Sequence, residues 1–232
     1  MRASISNSWR WSPRVAIVFA TLAGVVALAG CGPSRPPGAQ SGSAVAPEGD
    51  PAAALSQLQL MPAPKGLKWD MAEGVALTTA SEPAKAENQY AIQITPTATT
   101  SMHRIGAEGN FGGGTKTYHI TIWVKPIGAT NAMVEARGKT LLEASRPADY
   151  GRAFFDLAAV GLAPNKLMTD DTKFKSASIK KDGDWKKISV DMTTRDGWVY
   201  FSVAMVVQGT HMFTGGPGTG LVVGGMTAEP AA

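Results

Sequence analysis

Two aromatic pairs fall on segments of alternating polarity. Trp123 lies four residues from His119, and Trp198 lies two from Tyr200, so each pair shares one face of an extended strand. Sugars present apolar C–H faces that stack on such rings, and hydroxyls that call for bidentate polar side chains. Glu135 and Arg137 alternate with Met133 on another segment, and Asp156 alternates with Arg152 and Phe154 on a further one. If these faces coincide on one concave sheet, the rings form a platform flanked by acids and an arginine. The candidate ligand-binding set is therefore Trp123, Trp198, Tyr200, His119, Glu135, Arg137 and Asp156. The alternative use of the rings is packing beneath a second layer or a loop. Trp185, which begins a strand beside a turn, reads as structural.

Catalytic chemistry finds little support. His103, His119 and His211 are the only histidines, far apart and without metal-ligand spacing. No G-x-S-x-G nucleophile turn occurs. The glycine-rich stretches 112–114 and 215–220 lack the Lys-Ser/Thr of a phosphate loop. Glu135 and Asp156 read as solvated acids rather than a hydrolytic pair. Asp182-Gly183-Asp184 offers oxygens to a hard cation but equally spells a hairpin turn. The expectation is a non-catalytic chain with no metal and no cofactor.

The net charge of +4 is no sign of a nucleic-acid partner. Residues 1–30 hold Arg2, Arg10 and Arg14 with no acid, leaving only +1 on the remainder. After these arginines comes an unbroken apolar and small-residue run, Val15–Ala29, of signal-peptide length and short for a membrane span. It ends in Leu28-Ala29-Gly30-Cys31, which resembles a bacterial lipobox. The resemblance implies cleavage before Cys31 and lipidation of its thiol, anchoring the chain to a membrane through acyl chains worth about 0.8 kcal/mol per buried methylene. Gly32 follows, where lipoproteins retained at an inner membrane typically carry Asp, so the resemblance favours an outer membrane where a cell has one.

Pro, Gly, Ala and Ser make up 18 of the 24 residues from Cys31 to Ala54, too little apolar surface to offset chain entropy. This reads as a flexible tether, with a short helix expected over Ala52–Leu60 before Pro62. The expected division is a signal peptide at 1–30, a lipid-anchored linker at 31–64 and a folded domain at 65–228. Within that domain, Gly and Pro punctuate ten candidate strands: 74–79, 89–95, 101–105, 116–125, 132–138, 152–157, 173–180, 186–192, 197–208 and 220–227. Many short strands and scarcely any helical period argue for an all-β sandwich or barrel. Residues 141–145 read as a helical turn or irregular crossing. Thr99–Thr115 reads as a long polar loop presenting His103, Arg104, Asn110 and Phe111. Tyr118, Ile120, Ile122 and Val124 make one core face; Val199, Phe201, Val203, Met205 and Val207 make another.

The segment TYHITIWVKPIG resembles the strand and turn written roughly YTFSVYVKAxG in carbohydrate-binding-module-like jelly rolls. GRAFFDLAAVGL resembles their xxAxFDLxxG strand, and SASIKKDGDWKKISVDM their AxIxxxGxGWYRVSVxx, with Gly183 and Trp185 in the expected places. LKWDMAEGVAL and ENQYAIQIT resemble the opening strands, and GTGLVVGGMTAEP the last. The resemblance spans about 67–227 and implies an antiparallel jelly-roll β-sandwich that binds carbohydrate. Gly224-Gly225 stands where such modules often carry acids, which argues against a structural calcium there. The expectation is a lipid-anchored envelope protein, attached to the membrane by its N-terminal lipid, whose sandwich holds a glycan or cell-envelope polysaccharide. The alternative is a structural lipoprotein docking an envelope protein partner.

Overall fold

The computed structural model describes residues 50–138, 150–163, 174–195 and 197–231. The predicted signal peptide, Cys31, most of the predicted tether and the 141–145 segment lie outside the described residues. The chain is an antiparallel jelly-roll β-sandwich. One helix, α1 (Pro51–Gln59), precedes strands β1 (Lys68–Glu73), β2 (Val75–Thr79), β3 (Ile92–Pro96), β4 (Thr100–Met102), β5 (Arg104–Asn110), β6 (Lys116–Ile127) and β7 (Asn131–Arg137). Then follow β8 (Tyr150–Asp156), β9 (Gly161–Leu162), β10 (Ser176–Asp182), β11 (Trp185–Thr194), β12 (Trp198–Val206), β13 (Met212–Thr214) and β14 (Gly220–Pro230). Sheet A has the order β1-β5-β12-β7-β8-β9, sheet B the order β10-β11-β6-β14-β3-β2, and β4 pairs with β13 in a small third sheet. The chain crosses repeatedly between the layers, as β5–β6–β7 and β11–β12–β14 do.

Alternation builds the core between the sheets. Tyr118, Ile120, Ile122 and Val124 of β6 are fully buried against Val199, Phe201, Val203 and Met205 of β12, on the faces read from sequence. Val207 lies past the end of β12, in an isolated bridge to Thr210.

The helix changes the domain boundary. Residues 51–59 fall in the stretch expected to be linker, and the short helix expected there forms, but it is docked. The Asp50 side chain caps it by accepting from Ala52 N at 2.9 Å, and Pro51 opens it. Leu58 is fully buried in the core, a burial worth about 1.5–3 kcal/mol. Gln57 Nε2 donates to Leu77 O at 3.0 Å on β2, an edge of sheet B, and Gln59 Nε2 to Trp69 O at 3.5 Å on β1, an edge of sheet A. The helix thus bridges two sheet edges whose backbone groups would otherwise be open to pairing.

The second difference is the 99–115 segment. It is mostly strand, and β5 sits inside sheet A. Gly106 and Gly109 interrupt the alternation of its sequence, RIGAEGN, and disguise it as a loop. Gly106 has a steric reason: a Cβ there would stand 2.9 Å from the Tyr200 hydroxyl and 3.0 Å from Ser202 Cβ. His103, between β4 and β5, is fully buried, its Nδ1 at the Gly74 carbonyl and its Nε2 2.8 Å from the Phe213 carbonyl.

On the outer face of sheet B, residues 80–91 cover a second small core. Trp185 is buried there with Ala91 and Val222, and Trp123 packs at the margin. Lys85 N and Ala86 N both donate to Gly224 O, at 2.6 and 3.3 Å. Gly224-Gly225 forms the bulge in β14 that receives them. Side chains are barred at both: a Cβ on Gly224 would fall 2.5 Å from the Trp185 ring, and one on Gly225, where φ is +145°, would fall 2.4 Å from Ala86 Cβ. The Asp182-Gly183-Asp184 segment closes the β10–β11 hairpin, with Asp182 paired to Trp185 and Gly183 at φ +64°.

Candidate functional site

Strand register places the candidate residues. Sheet A turns one face to the core; its outer face carries Arg104, Gly106 and Glu108 of β5, Tyr200, Ser202 and Ala204 of β12, Met133, Glu135 and Arg137 of β7, and Tyr150, Arg152 and Phe154 of β8. One straight row runs Gly106–Ser202–Glu135–Arg152 across four strands. The neighbouring rows are Glu108–Tyr200–Arg137–Tyr150 and Arg104–Ala204–Met133–Phe154.

Glu135 is the hub of this face. Its Oε2 accepts from Arg152 Nη2 at 2.7 Å and from Tyr150 Oη at 3.0 Å, and its Oε1 from Arg104 Nη1 at 3.4 Å. Arg104 Nε donates to Glu73 Oε2 at 2.8 Å. Burial pushes the Glu135 carboxyl up, but the Arg152 hydrogen bond, the two guanidinium charges and Tyr150 outweigh it and hold the group ionised, below its ordinary value. Burial, then the charge of Glu135, raises the Tyr150 phenol. The Arg137 guanidinium lies 4.3 Å over the Tyr200 ring, and the Tyr200 hydroxyl donates to Met71 Sδ at 3.0 Å. Asp70, at the bulge of β1, is raised by burial and by the charge of Glu108.

Three buried polar atoms on or beside this face have no hydrogen bond of good geometry among the described residues: Arg152 Nε, Ser202 Oγ and His211 Nδ1. His211 meets Phe154 edge-on at 6.3 Å. Burial, then the charge of Arg152, lowers the basicity of His211. Glu135, Ser202 and Tyr200 are buried, whereas Tyr150, Arg152, Arg137 and His211 are half-buried and form the accessible rim.

The structure therefore gathers Tyr200, Glu135 and Arg137 on one face of sheet A, with Trp198 and Asp156 on the same strands. Asp156 is committed elsewhere: its Oδ1 accepts from Ala158 N and Ala159 N, each at 2.8 Å, and shapes the turn after β8. Trp198 pairs in register with Asn110 at the end of β12 and is half-buried. Trp123 and His119 are not brought to this face. They belong to β6, in the middle of sheet B, and point away from the core on the far side of the sandwich. Trp123 Nε1 donates to Asp182 Oδ2 at 3.1 Å, and Lys187 Nζ stands 5.3 Å over its ring. His119 Nδ1 lies 2.7 Å from Asp191 Oδ1, and Ser176 Oγ donates to Asp191 Oδ2 at 2.5 Å. Burial opposes ionisation of Asp191, but the Ser176 and His119 hydrogen bonds prevail and lower it.

The sequence places Arg104 both in the candidate strand 101–105 and in the 99–115 loop, and Arg152, Tyr150, Ser202 and His211 stand outside the candidate set. The period-2 spacing Tyr150, Arg152, Phe154, Asp156 was a usable signal for β8. Nothing in the sequence signals that His211, beyond β12, reaches Phe154. Asp182 splits its oxygens between Trp123 and Lys85, the latter at 3.3 Å. Among the described residues no group of three or more His, Cys, Asp and Glu side chains is placed to hold a metal ion. Hollows of 500, 410 and 340 Å3 are lined by other residues, around Lys116 and Lys175, around Tyr90, and around Lys65 and Phe111.

No protein-family profile matches this chain, and no curated protein does. Among solved structures it is similar to a family 61 carbohydrate-binding module in complex with β-1,4-galactotriose, at 10% identity over 71% of this chain and 87% of that one, with a TM-score of 0.34. It is similar to a Bacteroides thetaiotaomicron protein provisionally described as sugar-binding, at 12% identity over 73% and 90%, with a TM-score of 0.39. A third likeness is to the enzymatically active domain of bacteriophage CBA120 tailspike protein 4, at 11% identity and a TM-score of 0.34, covering 71% of this chain and 19% of that one. These are distant likenesses of shape, so function is argued from this chain's own side chains.

Proposed function

We propose that this chain is a lipid-anchored protein of the bacterial envelope that binds a glycan, without catalysis, on the outer face of sheet A. One observation carries the reading. The Ser202–Glu135–Arg152 row sets polar atoms with no hydrogen bond of good geometry among the described residues beside the half-buried Tyr150 ring and Arg137. Sugar hydroxyls both donate and accept, which suits a carboxylate hub ringed by donors, and an aromatic edge suits the sugar's C–H face. The anchor rests on the LAGC sequence at 28–31 after an apolar run, and the absence of Asp at residue 32 favours an outer membrane.

The test is a glycan array and polysaccharide pulldown on the full-length protein, purified from membranes in mild detergent. Tyr150→Ala and Arg137→Ala, both at half-buried positions, should weaken capture about tenfold or more. Trp123→Ala, on the opposite sheet, should leave it unchanged. Absence of any glycan binding overturns the reading and leaves docking of an envelope protein as the alternative. Equal loss on Trp123→Ala moves the site to sheet B. For the anchor, labelling of cells with an alkyne fatty acid should mark the wild-type chain and not Cys31→Ser.

A further inference from the structure

We propose that the glycan taken by sheet A is acidic, and that a sugar carboxylate is received by Arg152 with help from Ser202 and His211. This rests on the glycan-binding reading and names its ligand class. Glu135 already accepts three hydrogen bonds, from Arg104, Arg152 and Tyr150, and a carboxylate offers about four lone-pair sites. Glu73 is taken by Arg104 Nε. Glu108 is taken by Lys68 at 2.6 Å, and Asp156 by two backbone N–H groups. Those four carboxylates are thus largely spent, and Asp70, near Glu108 and Arg137, sits on β1 with three strands between it and β8.

What remains is rich in donors. Arg152 Nε is an N–H on a permanent cation, buried and without a hydrogen-bond partner among the described residues. Ser202 Oγ, which faces the Tyr200 hydroxyl, and His211 Nδ1, a donor when the proton sits on that nitrogen, have no hydrogen bond of good geometry among the described residues either. Two guanidinium groups share the one carboxylate of Glu135, whose side chain is 9% exposed, while Glu73, the second acid, is 35% exposed and its charge is screened by water. An acceptor-rich anion complements this remainder better than a neutral hydroxyl, because a carboxylate adds ion-pair attraction and presents two acceptor oxygens to the planar guanidinium. The Arg152 side chain as a whole is 21% exposed, at the β8 side of the face, while its Nε is buried. The ligand class is therefore a uronic-acid polysaccharide, whose ring stacks at the aromatic rim while its carboxylate enters beside Arg152.

The experiment compares matched pairs on the full-length protein in detergent. The probes are polygalacturonate and alginate against the same polymers with their carboxyls chemically reduced, read by affinity electrophoresis and titration calorimetry. The acidic forms should bind about tenfold or more tightly than the reduced ones, and Arg152→Gln should abolish that preference. Arg152→Lys should restore only part of it, since a lysine keeps the charge and loses the planar fork. Ser202→Ala, the smaller change, should reduce the preference and serves as the readout if Arg152→Gln melts early. Equal binding of acidic and reduced polymers overturns the acidic ligand and leaves glycan binding standing. A preference that persists in a folded Arg152→Gln protein overturns the assignment to this row. Failure of every polymer to bind overturns both readings.

Discussion

Arg152 faces Glu135 directly across the β8–β7 pair, with its Nη2 2.7 Å from Oε2 while its Nε has no hydrogen bond among the described residues. One half of the guanidinium neutralises the hub and the other half is left over. The pair is therefore both a structural tie and an opening for a ligand. Removing the acid and removing the base should have different consequences.

Glu135→Ala leaves two guanidinium groups on sheet A without their shared counter-charge. Unfolding by urea should show a loss of about 3–5 kcal/mol, the usual cost of breaking a buried pair from one side. Arg152→Gln should cost less, because Arg104 and Tyr150 still bond the carboxylate. Equal losses would show that the two arginines do not share the hub.

The depressed Glu135 carboxyl sets a pH dependence. Its ionised form is favoured more in the folded state than in the unfolded chain, where an ordinary glutamate titrates near about 4.3. Its contribution is fully present above that value and is lost as pH falls through the lower folded value. Thermal melts from pH 7 to pH 3 should therefore fall at the acid end for wild type and fall less steeply for Glu135→Gln. Identical slopes would remove Glu135 from the account.

The docking of α1 predicts that the folded domain reaches back at least to Asp50 rather than starting at residue 65. Leu58→Ala should destabilise by about 2–5 kcal/mol, as for other fully buried leucines. Asp50→Ala should cost about 1 kcal/mol through the lost cap. Chemical denaturation of both variants checks this, and a chain cut at residue 60 should melt well below the full one.

Gly224 touches the face of Trp185 where an added methyl has no room. Gly224→Ala should cost about 1–3 kcal/mol by overpacking. It should also change the Trp185 fluorescence, because residues 80–91 lose their seat on the bulge. Unaltered emission and stability would mean that this loop is not held there.

The β10–β11 hairpin sets Lys180 opposite Lys187, and Lys181 opposite Lys186. Like charges directly across a ladder are destabilising. Lys180→Glu should stabilise the protein by about 0.2–1 kcal/mol at low salt, and the gain should shrink as salt screens the pair. Melting temperatures at low and high salt measure both effects.

Much of the architecture was legible because alternation is a local property. The core faces of β6 and β12 follow from which side chains stand two residues apart, and the outward positions of Tyr200, Glu135 and Arg137 follow from the same rule. Where glycines replaced side chains the signal failed, and β5 beyond Ile105 read as a loop. The helix at 51–59 was visible in the sequence, but not its docking, since Leu58 is buried by strands that arrive later in the chain.

Period-2 patterning assigns each residue to one of two faces of its own strand, and that is what the sequence determined by itself: an all-β sandwich or barrel, its inward stripes and the outward residues on each strand. It carries no information on which sheet a strand joins or what lies beside it. Only the tertiary structure put β6 in sheet B and β7, β8 and β12 in sheet A. That ordering separated Trp123 and His119 from Glu135 and gave Glu135 its arginines, Arg104 and Arg152, each more than a dozen residues away in the chain. Strand order depends on contacts between segments distant in sequence, whereas face depends on neighbours two residues apart.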